Sequence, residues 1–130
     1  MGYRSDVAYT IRFVSDHDEK NKQSFYTFLA EAKSKAATAH CFTEVEVDEV
    51  RLRINFAADD VKWYDSFPDV RCHEALLDLA DEWDKDDSNN ADIGYSFVRV
   101  GEEINDVETR MNDAASYEWL TVHRAIDRDW

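Results

Sequence analysis

Residues 61–83, VKWYDSFPDVRCHEALLDLADEW, decide how the rest of the chain is read. Ser66 stands just before Pro68 and Asp69. A serine oxygen can accept one of the unpaired N–H groups that open a helix, and a proline in the first turn sacrifices none that was paired. The stretch therefore predicts a helix beginning near Phe67 or Pro68. Cys72, Ala75, Leu76, Leu79, Ala80 and Trp83 follow at the spacing of a single apolar face, with Arg71, Glu74, Asp78, Asp81 and Lys85 opposite. Val61 to Tyr64 reads as a short extended segment, with Trp63 and Phe67 bracketing the turn as a hydrophobic staple.

Outward from this helix, the chain of 130 residues has the size of a single α+β domain spanning 1–130, and its 44% hydrophobic and 13% aromatic content suffices for a core without staples. No apolar run approaches the roughly 18 residues of a membrane span, and MGYRSDVAYT lacks the basic-then-apolar layout of a signal peptide. A cytoplasmic location follows as the expectation. Cys41 and Cys72 read as reduced core residues. The formal net charge is −14, from 15 basic and 29 acidic residues, against magnitudes of about 2–8 for ordinary small domains. Such a charge repels nucleic acid and anionic membranes and favours a partner with a basic surface, or cations.

Val7 to Val14 alternates, with Val7, Tyr9, Ile11 and Phe13 on one side, as a half-buried strand would. Ser15, Asp16 and Asp18 then offer caps, with Glu19 as capping-box partner of Asp16. A helix carrying Phe25, Phe28, Leu29, Ala32 and Ala36 on its apolar face, and a Glu31–Lys35 pair, is expected to fade near Thr38. Two alternating runs, 43–47 and 50–56, meet at Asp48-Glu49. If those two residues form the loop, Val47 faces Val50, Val45 faces Leu52, Glu46 faces Arg51 and Glu44 faces Arg53. Asp-Glu lacks the glycine of a tight hairpin, so a bulge or a longer bent loop stands beside that reading. After the second helix comes a polar loop, then a strand from Ile93 to Val100. Gly101 to Ala115 fits either a short helical face of Ile104, Val107 and Met111 or a structured loop, and Tyr117 to Ile126 reads as a last strand. The order β-α-β-β-α-β with an added C-terminal strand is the ferredoxin-like arrangement, an antiparallel sheet with two helices on one face.

Chemistry-bearing motifs are sparse. Asp84, Asp86, Ser88, Asn90 and Asp92 alternate like the oxygens of a calcium loop, but Asn89 and Tyr95 stand where that motif needs glycine and a bidentate glutamate. His40-Cys41 and Cys72-His73 offer a zinc ligand set. Adjacent helical residues diverge by about 100°, however, which favours core thiols with surface imidazoles. Four scattered histidines, three glycines and the lack of a Gly-x-Ser-x-Gly or phosphate-cradling loop argue against an enzyme. Paired acids such as Asp59-Asp60 and Glu102-Glu103 are what chance gives in so acidic a chain. Neither a metal nor a cofactor is expected.

Three stretches carry a resemblance: Gly2-Tyr3-Arg4-Ser5-Asp6-Val7, VKWYDSFPDV at 61–70, and Arg99-Val100-Gly101-Glu102-Glu103. In them the chain resembles small acidic proteins of unknown function encoded by tailed bacteriophages and prophages. The resemblance supplies no catalytic residues. It implies the cytoplasm of an infected bacterium and an accessory protein that binds and inhibits a host protein. Some acidic proteins of this kind mimic the DNA phosphate backbone, as several anti-CRISPR and anti-restriction proteins do.

Two functional readings result. In the first, the carboxylates Asp78, Asp81, Glu82, Asp84, Asp86, Asp87 and Asp92, with the aromatic rim Trp63, Tyr64 and Phe67, form the surface that occupies a basic nucleic-acid groove on a host protein. In the second, the start of the helix and the aspartate loop make a small-ligand or divalent-cation module, with or without catalysis. Carboxylates spread at phosphate-like spacing favour the first, and carboxylates converging against aromatic walls favour the second.

Overall fold

The computed structural model describes residues 3–14, 18–64, 66–86, 92–103, 105–116, 119–122 and 126–128. Five strands, β1 (Ser5–Phe13), β2 (Glu46–Asp48), β3 (Arg53–Val61), β4 (Ile93–Gly101) and β5 (Val107–Met111), form one antiparallel sheet in the order β2-β3-β1-β4-β5. Helices α1 (Asp18–Ser34), α2 (Ala36–Ala39) and α3 (Pro68–Lys85) lie between strands in the chain. The fold is α+β. Its first four strands have the ferredoxin-like order, extended at the β4 edge by β5. Among the described residues, no helix is long and apolar enough to cross a membrane.

The core lies between the sheet and the helices, where Val7, Tyr9, Ile11 and Phe13 meet Phe25, Phe28 and Leu29 of α1 and Cys72, Leu76, Leu79, Ala80 and Trp83 of α3. Phe13 and Phe28 both set their rings edge-on to Trp83. This is the face that the periodicity predicts for both helices, except that Ala75 of α3 is only half-buried and stands outside the core. Ala36 lies outside it, exposed, because Lys35 takes an extended conformation (φ −87°, ψ 130°) and breaks the helix. Thr38, buried, donates its hydroxyl to the Ala32 carbonyl across that break. The caps proposed at Ser15 and Asp16 lie outside the described residues.

At the start of α3 the cap differs from the expected one. Phe67, extended at φ −79° and ψ 133°, occupies the N-cap without a side-chain hydrogen bond, and Pro68 follows in the first turn. Ser66 therefore does not cap. Nor does Trp63 staple Phe67: it packs against Phe56, His73 and Phe97, while Tyr64 takes Phe67 edge-on at 5.1 Å. The helix also buries a second stripe, Val70, His73 and Leu77, because it is flanked by α2 and the following turn as well as by the sheet.

The β2–β3 hairpin is in another register from the one charge pairing suggested. Glu46 faces Asn55, Val47 faces Ile54 and Asp48 faces Arg53, with residues 49–52 as a longer bent loop. The cause is the Asp48 carboxylate, which accepts the N–H groups of Val50 (3.1 Å) and Arg51 (2.9 Å) and folds the chain before it can pair. Leu52 then turns back through a left-handed conformation at φ 58°, and Val50 is left 93% exposed. Val45, Val47 and Leu52 still rest on the core as the alternation requires.

Two further corrections concern the C-terminal third. Residues 107–111 are a strand rather than a helical face or loop, paired with β4 from Val100↔Val107 to Ser96↔Met111. Ile104 lies outside the described residues. The expected last strand is instead a separate hairpin, β6 (Leu120–Val122) with β7 (Ile126–Arg128), and it forms its own two-stranded sheet. Leu120 and Ile126 pack on Ala8, Ala57, Val98 and Val100, which belong to the sheet face turned away from the helices. Trp119 lies beneath the Arg12 guanidinium at 4.5 Å. On the same face, Thr10 donates to the Asn55 side-chain oxygen (2.6 Å) and Arg12 donates through Nε to Thr10 (3.1 Å). β1 is thus buried on both faces, not half-buried as its alternation suggested.

Candidate functional site

The acidic residues singled out from sequence lie along the second half of α3 and just beyond it. Asp78 is exposed but paired with Arg110 of β5 at 2.8 Å. Asp81 binds Lys85 at 2.9 Å and accepts from the Tyr95 hydroxyl at 3.2 Å. The Lys85 contact, then the Tyr95 hydrogen bond, hold its carboxyl below the usual range. Glu82, Asp84, Asp86 and Asp92 are exposed. Asp87, and with it residues 87–91 of the supposed calcium loop, lies outside the described residues. Glu82 and Asp86 border an open groove of about 570 Å³ between α1 and α3, whose floor includes Trp83 donating to Glu31 at 2.6 Å.

The aromatic rim is not continuous with these acids. From Phe67 to Asp84 the helix rises by roughly 25 Å, so the two groups face different surroundings. Trp63 and Tyr64 are half-buried; Tyr64 accepts the Tyr3 N–H at 2.6 Å, and only Phe67 is largely exposed, at 39%. Packing at the start of α3 accounts for all three rings.

A different constellation stands on the far side of α3. His73 is buried, not a surface imidazole, with Tyr9, Phe56 and Trp63 around its ring. The Glu44 carboxylate, which only accepts, lies 2.8 Å from His73 Nε2, so the proton sits there, and Nδ1 accepts from the Tyr9 hydroxyl at 2.7 Å. Burial pushes the His73 pKa down against the pull of Glu44, and burial pushes Tyr9 well up, so both are neutral at pH 7. The other Glu44 oxygen lies 3.7 Å from His40 Nε2, and that nitrogen is 3.1 Å from Asp69 Oδ1 in the first turn of α3. A polar line thus runs from the core at Tyr9 to the surface at Asp69. Sequence reading passed over it because His73 was counted as polar. The spacing Val70, His73, Leu77 was the available signal. Cys41 and Cys72 are buried free thiols, and burial with a Cys72 contact raises the Cys41 pKa.

Residues 3–7 and 99–103 meet at one end of the sheet, where Val61 pairs with Ser5 and Tyr64 accepts the Tyr3 N–H. Arg99 grips Asp106 through two nitrogens (2.8 and 3.1 Å) and Glu108 through a third (3.2 Å), and the Tyr3 hydroxyl donates to Asp106. Arg99 and Tyr3 hold the Asp106 carboxyl down at about 2. Arg4 donates to Glu102 and to the Asp60 carbonyl, and Asp60 donates its N–H to Asp6. Gly101 belongs to this brace: a Cβ there would fall 2.1 Å from Asp106 Oδ2 and 2.2 Å from the Tyr3 oxygen. These bonds tie the N-terminal strand to the β4–β5 turn. Asp59 and Asp60 stay exposed, as do Glu102 and Glu103.

Compared with known protein families, curated proteins and solved structures, the chain matches none.

Proposed function

We propose that the chain is an acidic interaction protein, of the kind encoded by tailed phages, that binds and inhibits a host protein through that protein's basic, nucleic-acid-binding surface. The observation that carries this reading is the charge of −14, together with where its uncompensated part lies. Glu82, Asp84 and Asp92 are exposed and have no ion-pair partner among the described residues. Asp78 and Asp81 are paired with Arg110 and Lys85, and the exposed carboxylates Glu82 and Asp84 at the end of α3 are the part of the acidic run that supports this reading. A field summed over several carboxylates steers a basic partner and repels nucleic acid and anionic lipid, without relying on any one contact.

The test is association with proteins of a bacterial lysate at low and high salt, using the natural chain and a triple variant, Asp84→Asn with Asp86→Asn and Asp87→Asn. Association that slows with salt, and slows further in the triple variant at unchanged circular dichroism, supports the reading, because exposed charges are screened over about 10 Å at 0.1 M salt. A captured partner indifferent to both changes would remove mimicry and direct attention to Phe67.

A further inference from the structure

We infer that His40, Glu44 and Asp69 form a binding site for a divalent transition-metal ion of the zinc type. Three elements supply the ligands: His40 opens the 3-10 turn His40–Thr43, Glu44 follows that turn, and Asp69 stands in the first turn of α3. One donor atom from each lies within 4.8 Å of the other two. Bonds of about 2.0–2.2 Å to nitrogen and oxygen place neighbouring donors of a tetrahedral ion roughly 3.3–3.5 Å apart. The contacts from His40 Nε2, 3.1 Å to Asp69 and 3.7 Å to Glu44, bracket that edge. One imidazole with two carboxylates suits zinc, cobalt or manganese better than magnesium or calcium, which take oxygen alone. It leaves further positions for water.

Two features separate this grouping from ordinary surface charge. Glu44 is held from behind. Its second oxygen takes the only Nε2 proton of His73, a side chain 1% exposed, and His73 is in turn fixed by the Tyr9 hydroxyl. Metal-binding carboxylates are typically oriented by such an outer hydrogen bond, and here it is built from buried groups. The second feature is electrostatic. Two carboxylates converge on a single imidazole nitrogen in a chain already carrying −14, a like-charge approach that one divalent ion bound among them neutralises. This site is independent of the acidic end of α3, on which the proposed function rests.

The experiment titrates the intact chain with Zn²⁺ alone by calorimetry at physiological salt, and with Co²⁺ as a visible-absorption probe. The expected result is one ion per chain, with cobalt bands of a low-coordinate nitrogen and oxygen site. His40→Ala and Asp69→Ala, both at exposed positions, should each weaken binding by about tenfold or more, while Asp59→Asn should leave it unchanged. Circular dichroism and the melting temperature report that the variants fold. Absence of one-to-one binding overturns the inference. So does binding that survives His40→Ala or Asp69→Ala, or that falls equally in Asp59→Asn, since the ion would then be held by the general acidic surface.

Discussion

Replacing Tyr9 by phenylalanine removes one oxygen atom from the centre of the core. Tyr9 is 0% exposed and His73 1% exposed, so no water can take the place of the lost hydroxyl. The variant loses the 2.7 Å bond to His73 Nδ1 and leaves that lone pair facing apolar rings. A typical hydrogen bond contributes about 0.5–1.5 kcal/mol net, and an abandoned buried partner costs about 1–3 kcal/mol. The variant should therefore be destabilised by about 1–3 kcal/mol, or by roughly 3–15 °C in melting temperature at this chain length. Urea denaturation followed by tryptophan fluorescence measures it as a lowered midpoint at unchanged slope. Adding His73→Phe removes the orphaned nitrogen as well. The double variant should then be less destabilised than the two single losses together, with a coupling of about 1 kcal/mol or more. A Tyr9→Phe effect within about 0.5 kcal/mol of zero, additive with His73→Phe, would refute the buried dyad.

The same histidine gives the stability a pH dependence. Because the folded state lowers its pKa, the unfolded chain takes the proton first; the stabilisation is complete above about 6.5 and is lost as pH falls from there through the folded value. Denaturation midpoints across that window should decline in the natural chain and flatten in His73→Phe; parallel profiles would count against it. At the sheet end, Gly101→Ala should destabilise by about 1–3 kcal/mol, since its methyl group must displace Asp106 and the Tyr3 ring. A calorimetric melting temperature equal to that of the natural chain would mean the brace yields without cost.

The two helical faces and the central alternation were legible because they repeat over many residues, and repetition survives local exceptions. What escaped depended on single side chains or distant partners. The charges of Glu44, Glu46, Arg51 and Arg53 satisfied a register that the Asp48 carboxylate prevents, by capping Val50 and Arg51. β5 carries Glu108 and Arg110 toward the helices and alternates them with Val107, Thr109 and Met111, a run so short that Val107 and Met111 fit a helical face equally well. It is a strand because β4 pairs with it and because Arg99 and Asp78 receive its charges. The acidic run was visible as composition, and so was Lys85 one turn after Asp81, but the pairing of Asp78 with Arg110 depends on a distant residue that nothing near α3 in the chain announces. His40 and Glu44 are one turn apart in the chain, and Asp69 is brought to them by the packing of α2 and the following 3-10 turn on α3.

The β6–β7 hairpin determines which kinds of recognition are open to this fold. Sheet-based readers of single-stranded RNA stack bases on aromatic rings displayed across the helix-free side of a four-stranded sheet. Here that side presents Ala8, Thr10, Arg12, Ala57 and Val98, and Leu120 and Ile126 lie across part of it, with Trp119 against Arg12. Among the described residues the strands put no aromatic ring on that side and the hairpin covers part of it, which leaves the helices, the loops and the two outer strands as the more open surfaces.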